Sequence, residues 1–294
     1  MELIQCFFIL CYYWLKSLIV TIFYQKPRKN LKDEIILVTG AGSGLGRGIA
    51  QRLASTGATL VLWDVNERGN KQTAIDIVEQ NGKAHAMKCD LCNRAEIYRL
   101  AEQVRDQIGT VTMIINNAGI VSGTPLLDTD DESIIRTFDV NVLAHFWVLK
   151  AFLRPMIDAN YGHIVNIASG AGIFGMNHLV DYCSSKFAAV GLHESLTDEL
   201  RQSRSNIQTT VICPSFINTG IGTTSAVLDQ EEVCDQIVEA IVTNKRFVML
   251  PQQTMIFYAL KGLMPEEAVA KVQDFFGLST SMNTFVGRND KKHT

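Results

Sequence analysis

The stretch of sequence that most constrains the fold runs over residues 34–65 and reads EIILVTGAGSGLGRGIAQRLASTGATLVLWDV. It begins with a continuous apolar run, as expected for a strand that is covered on both faces. A glycine-rich turn, an amphipathic helix and a second apolar strand that ends at Asp64 follow. This order predicts a parallel sheet with a ligand site at the carboxyl end of its first strand.

The glycine-rich turn also predicts the kind of ligand. Its glycines allow the backbone to approach a pyrophosphate closely, and the next helix offers unpaired N–H groups at the positive end of its dipole. The turn contributes Gly40, Ser43, Gly44, Leu45 and Gly46. A tight turn without a ligand is the alternative, but Asp64 stands where a carboxylate binds the adenosine ribose and repels the extra phosphate of NADP. The pattern therefore predicts a dinucleotide site that prefers NAD.

Strand and helix patterns keep alternating after Asp64. The later predicted strands are 84–88, 112–119, 162–169, 209–213 and 246–250, and one long helix is predicted through residues 134–153. Repeated strand–helix units predict a single α/β domain over residues 34–250, with a doubly wound parallel sheet of the Rossmann type. Ligands bind such sheets at the carboxyl ends of the strands. Those ends carry Asp90, Asn116, Ser169 and Pro214.

A tyrosine and a lysine stand four positions apart in DYCSSKF, residues 181–187. On a helix, Tyr182 and Lys186 project from the same face. A nearby cation lowers the pKa of a phenol because it stabilises the charged form, so Tyr182 is a candidate general base. A chance pair on a helix surface is the alternative reading of this motif alone.

The first 24 residues have a different composition from the rest of the chain. They are almost wholly apolar and aromatic apart from Lys16, and a basic linker follows over residues 25–33. A cleaved secretory signal would carry its positive charge before the apolar run, so we predict an uncleaved anchor. The anchor either spans a bilayer or lies in its interface with Lys16 reaching the headgroups, and a helix buried in the domain core is a third alternative. The basic linker favours the cytosolic side for the domain.

Charge and composition argue against several other functions. The net charge is −3 at pH 7 and no long Lys/Arg run is present, so no nucleic acid partner is expected. The seven cysteines are scattered, which is typical of reduced thiols and not of a disulfide framework. Cys89 and Cys92 form a lone C-x-x-C pair, interpreted as coincidence. His145, His163 and His178 lack metal-ligand spacing, so no metal is expected and these histidines are assigned structural or substrate-pocket roles.

Taken together, the motifs TGAGSGLG, NNAG and YCSSK, with Asn141 and Ser169, resemble the short-chain dehydrogenase/reductase family over residues 34–250. The resemblance implies that Tyr182 is the general acid/base and that Lys186 binds the nicotinamide ribose and lowers the pKa of the tyrosine. It also implies that Ser169 orients the substrate oxygen and that Asn141 supports a proton-relay water.

The same resemblance implies further cofactor contacts. They come from Asp90, Leu91, Asn117, Ala118, Gly119, Pro214, Ile217 and Thr219, in addition to Tyr182 and Lys186. The chain departs from the family pattern at Ser215, where the family usually has glycine, and this leaves the conformation of that loop open.

Within the family, LVLWDVNERG, NVLAHFW and YCSSKFAAVGLHESLTDEL are similar to the branch containing 17-beta-hydroxysteroid dehydrogenases 11 and 13, epidermal retinol dehydrogenase and retinol dehydrogenase 10. The resemblance implies NAD-dependent oxidation of a lipophilic alcohol, such as a retinoid or a steroid, by a homodimer. The implied location is the endoplasmic reticulum membrane or the lipid droplet, with the catalytic domain facing the cytosol. Reduction of the corresponding carbonyl and a droplet scaffold with little turnover remain the alternative functions.

The last segment, residues 251–294, is predicted to be an extension that faces the substrate or the membrane. Its apolar stretch TMIFYALKGLM, residues 254–264, would shape a substrate entrance or dock on a membrane. An ordinary core helix is the alternative for this stretch.

Overall fold

The structure is a computed structural model that describes residues 2–23, 27–215 and 228–275. The chain divides into two compact units, Met1–Asn30 and Leu31–Thr294, which are described separately.

The first unit contains helix α1 (Glu2–Phe23). A helix of this length is about 33 Å long, comparable to the hydrocarbon thickness of a bilayer. Its described large apolar side chains are all exposed: Ile4, Phe7, Phe8, Ile9, Leu10, Tyr12, Tyr13, Trp14 and Leu15. Over residues 7–15 these side chains surround the helix and do not form a single stripe, so this part of α1 lacks the polar face of an ordinary surface helix.

The second unit is built on one parallel sheet of seven strands in the order β3-β2-β1-β4-β5-β6-β7. The strands are β1 (Ile35–Thr39), β2 (Thr59–Asp64), β3 (Lys83–Lys88), β4 (Met113–Asn116), β5 (Gly162–Ile167), β6 (Ile207–Pro214) and β7 (Phe247–Leu250). The predicted doubly wound parallel sheet is confirmed. The strand order reverses between β1 and β4, and this is where a sheet of this kind opens a crevice for ligands.

Helices lie between the strands and cover both faces of the sheet, and two more helices follow the last strand. They are α2 (Gly44–Ala54), α3 (Glu67–Glu79), α4 (Arg94–Gln107), α5 (Asp131–Phe138), α6 (Ala144–Asp158), α7 (Val180–Gln202), α8 (Gln230–Val242), α9 (Thr254–Lys261) and α10 (Glu266–Phe275). Alternate residues of β1 point to opposite faces. Ile36 and Val38 enter one buried apolar cluster with α2 and α8, and Leu37 enters another with α4 and α6.

One helical run in the described part of the chain, Asp131–Asp158, is apolar and long enough to cross a membrane by length and composition. Val148, Leu149 and Phe152 from this run pack in the core cluster beside α4. These contacts are those of a core helix. The apolar stretch Phe7–Lys16 of α1 is shorter.

The same run differs from the single helix predicted over residues 134–153. A π-helical segment, Asp139–Leu143, separates α5 from α6. π segments of this kind often occur at functional sites, where they aim a side chain that a regular helix would direct elsewhere. This segment contains Asn141.

The apolar stretch near the C-terminus forms α9, and it is neither wholly buried nor wholly exposed. Met255, Phe257 and Tyr258 pack against a buried cluster that includes Phe174 and Val211. On the outside of the helix, Ile256 and Leu260 are 62% and 43% exposed, and Leu263, just after the helix, is 81% exposed. The helix therefore covers the domain with one side and presents an apolar surface with the other.

Candidate active site

The glycine-rich turn joins β1 to α2 in a conformation that needs glycine. Gly40 has a φ of +67° and Gly44 a φ of +55°, a region that side chains rarely adopt. A Cβ added to Gly46 would lie 2.1 Å from the Gly40 carbonyl oxygen. The backbone therefore packs too closely at this turn for any side chain at these positions.

The N-terminus of α2 is open to a ligand. Ser43 occupies the N-cap position, but its side chain makes no capping hydrogen bond, so backbone N–H groups of the first turn stay available. No acidic residue is present in the first turn of this helix. A pyrophosphate fits this cradle, since the helix end and the bare glycines supply donors and space.

Asp64 ends β2 beside the same turn, where the sequence places it. Its carboxylate accepts hydrogen bonds from the Gly42 N–H at 2.8 Å and the Asn66 N–H at 2.7 Å. These two bonds hold the carboxylate in a fixed position against the glycine turn. A ribose bound at the turn would meet this fixed acceptor.

Asn117 connects the end of β4 to the glycine turn. Its side-chain Nδ2 donates to the Thr39 carbonyl at 2.9 Å and to the Gly40 carbonyl at 3.3 Å. The Thr39 hydroxyl in turn accepts from the N–H groups of Asn117 and Ala118, at 3.0 and 3.1 Å. Thr39 was missed in the sequence analysis, although its position directly before Gly40 is the signal that could have identified it.

Asn141 is fully buried and holds the loop that follows β4. Its Oδ1 accepts from the Ile120 N–H at 2.9 Å, and its Nδ2 donates to the Ile120 carbonyl at 2.9 Å and to the Ser185 hydroxyl at 3.0 Å. The Ser185 hydroxyl donates to the Tyr182 carbonyl at 2.7 Å. Ser185, which the sequence analysis did not single out, thus links Asn141 to the helix that carries Tyr182.

Ser169 follows β5 and caps a short 3-10 turn, with its hydroxyl accepting from the Ala171 N–H at 3.1 Å. The same side chain lies near the Tyr182 phenol and favours a lower pKa for it. Ser169 and Tyr182 are therefore close to each other, and their roles in a reaction stay predictions.

Lys186 is buried one turn after Tyr182, with 3% of its surface exposed. Its Nζ donates to the Ile167 carbonyl at 3.1 Å and lies 5.7 Å from the centre of the Tyr182 ring. A Cβ added to Gly119 would be 3.3 Å from this nitrogen and 3.4 Å from Asn141 Oδ1. The bare backbone of Gly119 therefore lies against both side chains.

The pKa values in this cluster correct one sequence-based expectation. We expected the cation to lower the pKa of Tyr182, but burial outweighs the opposite effect of Ser169 and raises this pKa to about 12. Burial also lowers the pKa of Lys186 to about 8. Both shifts have the same cause, because an environment with little water disfavours the charged form of either group. At neutral pH most Lys186 side chains still carry their positive charge.

The remaining predicted residues are placed as follows. Asp90 is exposed and its Oδ1 accepts from the Cys92 N–H at 3.0 Å, whereas Leu91 is buried and packs in the core with Trp63. Pro214 ends β6 and its carbonyl lies 3.5 Å from the Ser169 hydroxyl. Ile217 and Thr219 lie outside the described residues. The cofactor roles of all these residues stay predictions.

The histidines differ in their surroundings. His163 Nε2 and the Thr210 hydroxyl lie 2.8 Å apart in a buried hydrogen bond, which is a structural role. His145 is 2% exposed, and in the described part of the chain neither of its ring nitrogens has a hydrogen-bond partner. Burial, with a smaller effect from the Lys186 charge, lowers the pKa of His145 to about 3. His145 is therefore neutral beside the candidate site.

An apolar wall stands next to Tyr182. Val121, Met176 and Tyr182 each pack against the buried cluster of Ala171, Leu179 and Cys183. Val121 comes from the loop after β4 and Met176 from the segment between Ser169 and α7. A substrate whose oxygen lies between Ser169 and Tyr182 would have apolar side chains beside its carbon skeleton.

Comparison with known proteins agrees with this geometry. A family model described as short chain dehydrogenase matches residues 34–229. Short-chain dehydrogenase/reductase family 16C member 6 of Bos taurus is 43% identical over 94% of this chain and 90% of its own length. Human 17-beta-hydroxysteroid dehydrogenase 13 is 42% identical over 92% of both chains. Human epidermal retinol dehydrogenase 2 is 42% identical over 90% of this chain and 89% of its own.

Solved structures show the same similarity at lower identity. A short-chain dehydrogenase/reductase from Burkholderia phymatum in complex with NAD matches with a TM-score of 0.75 and 26% identity, over 80% of this chain and 95% of that one. A metagenomic short-chain oxidoreductase in complex with NADP matches with a TM-score of 0.65 and 29% identity, over 75% and 96%. The chain therefore belongs to the short-chain dehydrogenase/reductase family and is an NAD(P)-dependent oxidoreductase related to retinol and steroid dehydrogenases.

Proposed function

We propose that this protein oxidises a lipophilic alcohol, a retinoid, a steroid or a similar lipid, with NAD as the acceptor and Tyr182 as the general base. One observation carries the proposal: the Ser169 side chain lies close enough to the Tyr182 phenol to favour a lower pKa for it, with buried Lys186 next to them, at the sheet edge that also carries the glycine turn. The hydroxyl, the phenol and the ammonium are the groups that alcohol oxidation requires in one place.

Each side chain has a separate task in the proposed reaction. Bound NAD supplies the hydride acceptor and a positive charge on its nicotinamide. Ser169 donates a hydrogen bond to the substrate oxygen, and the phenolate of Tyr182 accepts the hydroxyl proton as the carbon–hydrogen bond breaks. Lys186 stabilises the phenolate, because its ammonium approaches the Tyr182 ring in a site with little water. Asn141 fixes the loop after β4 relative to helix α7, because its side chain bonds to Ile120 in the loop and to Ser185 in the helix.

The preference for NAD over NADP is proposed from Asp64. Its carboxylate is fixed against the glycine turn by two backbone N–H groups, and a phosphate on the adenosine ribose would face this negative charge. Like charges at close range disfavour binding. One structural neighbour is a complex with NAD and the other a complex with NADP, so the choice rests on Asp64.

The class of substrate is proposed from the apolar wall and from the relatives. Val121 and Met176 offer a hydrocarbon surface beside Tyr182. Two relatives of 42% identity are named for a hydroxysteroid and for retinol. Both names denote large apolar molecules with a reactive oxygen, which would suit such a wall.

The proposed location is a membrane or lipid-droplet surface, with residues 1–24 as the anchor and residues 25–33 as a basic linker. The exposed apolar side chains around α1 support an anchor, since they would be costly in water. The outward face of α9, within the extension 251–294, offers a second apolar surface with Ile256 and Leu260, and exposed Leu263 follows the helix. The endoplasmic reticulum, the cytosolic orientation of the domain and the homodimer are part of this proposal on the strength of the resemblance.

The experiment that tests the proposed function is a substrate panel on membrane-bound protein. Full-length protein in phospholipid vesicles is given retinoids, steroids or fatty alcohols with either NAD or NADP, and formation of the reduced cofactor is followed by absorbance. We expect turnover of at least one lipid class with NAD. A Ser169→Ala variant serves as the matched control, because it removes one hydroxyl and should reduce that turnover.

Two outcomes would favour the alternative functions. If the aldehydes and ketones that correspond to these alcohols are reduced, but the alcohols are not oxidised, the result would favour a reductase. Normal binding of NAD without turnover of any class would favour a scaffold.

A further inference from the structure

Asp181, which directly precedes Tyr182, is a buried carboxylate held by hydroxyl groups. It is 5% exposed, and among the described residues it forms no ion pair. The Ser122 hydroxyl donates to its two oxygens at 2.8 and 2.9 Å, and the Thr137 hydroxyl donates to Oδ2 at 3.0 Å. Burial of a carboxylate is unfavourable unless its oxygens are bonded. The first turn of α7 helps further, since the positive end of the helix dipole lies there.

The two hydroxyls come from different parts of the fold. Ser122 belongs to the loop between β4 and α5, and Thr137 is buried in α5. Asp181 therefore ties the loop and α5 to the helix that carries Tyr182 and Lys186. A surface aspartate that caps a helix would not connect three segments in this way.

The loop is held at two points, and Val121 lies between them. On one side, both backbone groups of Ile120 bond to the Asn141 side chain at 2.9 Å. On the other side, Ser122 bonds to Asp181. Val121 packs in the apolar cluster with Met176 and Tyr182. The position of Val121 in this cluster is thus set by one anchor from Asn141 and one from Asp181.

We propose that Asp181 is a positioning residue for the substrate: its bond to Ser122 fixes Val121 in the apolar wall beside Tyr182. Asp181 itself does not touch the reacting atoms. When the bond is removed, the loop keeps its Ile120 anchor but loses the second one, and the wall no longer has a fixed shape. The substrate part of this inference rests on the proposed function, whereas the fixing of the loop does not.

The test compares three variants of the full-length protein. Asp181→Ala removes both acceptors, and Asp181→Asn keeps the size of the side chain and one oxygen. Ser122→Ala removes the bond to the loop alone, leaving the carboxylate bonded to Thr137, so this variant still decides the question if Asp181→Ala fails to fold. Asp158→Ala is the matched control, because it removes an exposed carboxylate whose partner is Arg154 on the surface of α6.

Two measurements are made on each variant. Amide hydrogen exchange, followed by mass spectrometry, reports the loop directly and needs no substrate. In Asp181→Ala and Ser122→Ala we expect exchange over residues 120–124 to accelerate by about tenfold or more, because a charge-assisted bond is lost. Exchange in β1 and β6 should stay as in the parent protein. For Asp181→Asn, the exchange rate over residues 120–124 should lie between that of the parent protein and that of Asp181→Ala.

Steady-state kinetics with the alcohol identified by the substrate panel report the consequence for the substrate. We expect KM to rise about tenfold in Ser122→Ala with the Kd for NAD unchanged, and the control to resemble the parent protein. Unchanged exchange over residues 120–124 in both variants would overturn the proposal, and so would an equal acceleration over the whole domain. Changed exchange with unchanged KM would overturn the substrate role. A parent protein without turnover would count against the proposed function alone, since the exchange result still decides whether Asp181 fixes the loop.

Discussion

At the scale of single residues, the chemistry depends on how buried groups are paired. Lys186 and Tyr182 share a site with little water. Burial raises the pKa of Tyr182 and lowers the pKa of Lys186, and both shifts favour the neutral form of the side chain. Replacement of the ammonium by a group of the same length isolates its electrostatic effect from its packing.

The first prediction concerns Lys186→Met. Loss of the ammonium removes the charge that favours the phenolate, so the rising limb of the pH–rate profile should move to higher pH. The Kd for NAD should also increase, because the proposed ribose contact is lost. Lys150→Met on the exposed side of α6 is the control for removal of a positive charge. A profile that keeps its midpoint in Lys186→Met would contradict the assignment.

The second prediction concerns Asp64→Asn, which keeps one oxygen for the backbone N–H groups but removes the negative charge. We expect the ratio of kcat/KM for NADP to that for NAD to rise by at least about tenfold, because two close negative charges repel by more than about 1.4 kcal/mol. Asp76→Asn on α3 is the matched control. If the parent protein uses both cofactors equally, Asp64 does not select between them.

The third prediction uses the buried neutral His145. Its pKa is about 3 in the folded protein against an ordinary value of 6.5. Between these two values the unfolded chain binds more protons, so protonation lowers the free energy of unfolding as the pH falls from 6.5 to 3. The loss is at most about 1.4 kcal/mol per pH unit.

His145→Leu should remove this contribution. Urea unfolding at several pH values measures it as the difference between the parent protein and the variant. The stability of the parent protein should fall relative to that of the variant as the pH falls below 6.5. Parallel curves from pH 7 to pH 4 would show that His145 does not titrate in this way.

At the scale of elements, regular strands and helices can be predicted from the sequence more readily than local departures from them. The run Ile35 to Val38 predicts β1 because continuous apolar residues suit a strand covered on both faces. The π-helical segment around Asn141 has no such signal, since its apolar pattern continues that of the flanking helices. Ser122, Thr137 and Asp181 are brought together by the fold from three separate elements, so spacing along the chain could not identify them.

The fourth prediction belongs to helix α1. Deletion of residues 2–24 should release a folded domain that still binds NAD but no longer floats with phospholipid vesicles, because the apolar surface of α1 is removed. Removal of residues 276–294 is the control truncation at the other end of the chain. A deletion variant that stays fully bound to vesicles would locate the anchor elsewhere, with the outward face of α9 the first surface to test.

At the scale of the whole molecule, the parallel sheet brings distant parts of the sequence to one edge. β1 lies next to β4, and β4 next to β5, so the glycine turn, the NNAG segment and Ser169 all follow adjacent strands. Helix α7 then adds Tyr182 and Lys186 beside Ser169. The general position of this site is predictable from the sequence, because strand ends of a doubly wound sheet meet at one edge. The balance of burial and polar contacts that sets the pKa of Tyr182 cannot be predicted from the sequence, because it depends on how the side chains pack.

The most direct test of the central claim is the transfer of deuterium from the carbinol carbon of a labelled retinoid or steroid alcohol to NAD. Full-length protein in vesicles should produce deuterated NADH. Tyr182→Phe should bind NAD with a nearly unchanged Kd but transfer deuterium at least about 100-fold more slowly, because nothing accepts the hydroxyl proton. Transfer by Tyr182→Phe at close to the parent rate, or no transfer by the parent protein with any alcohol that it binds, would contradict the account.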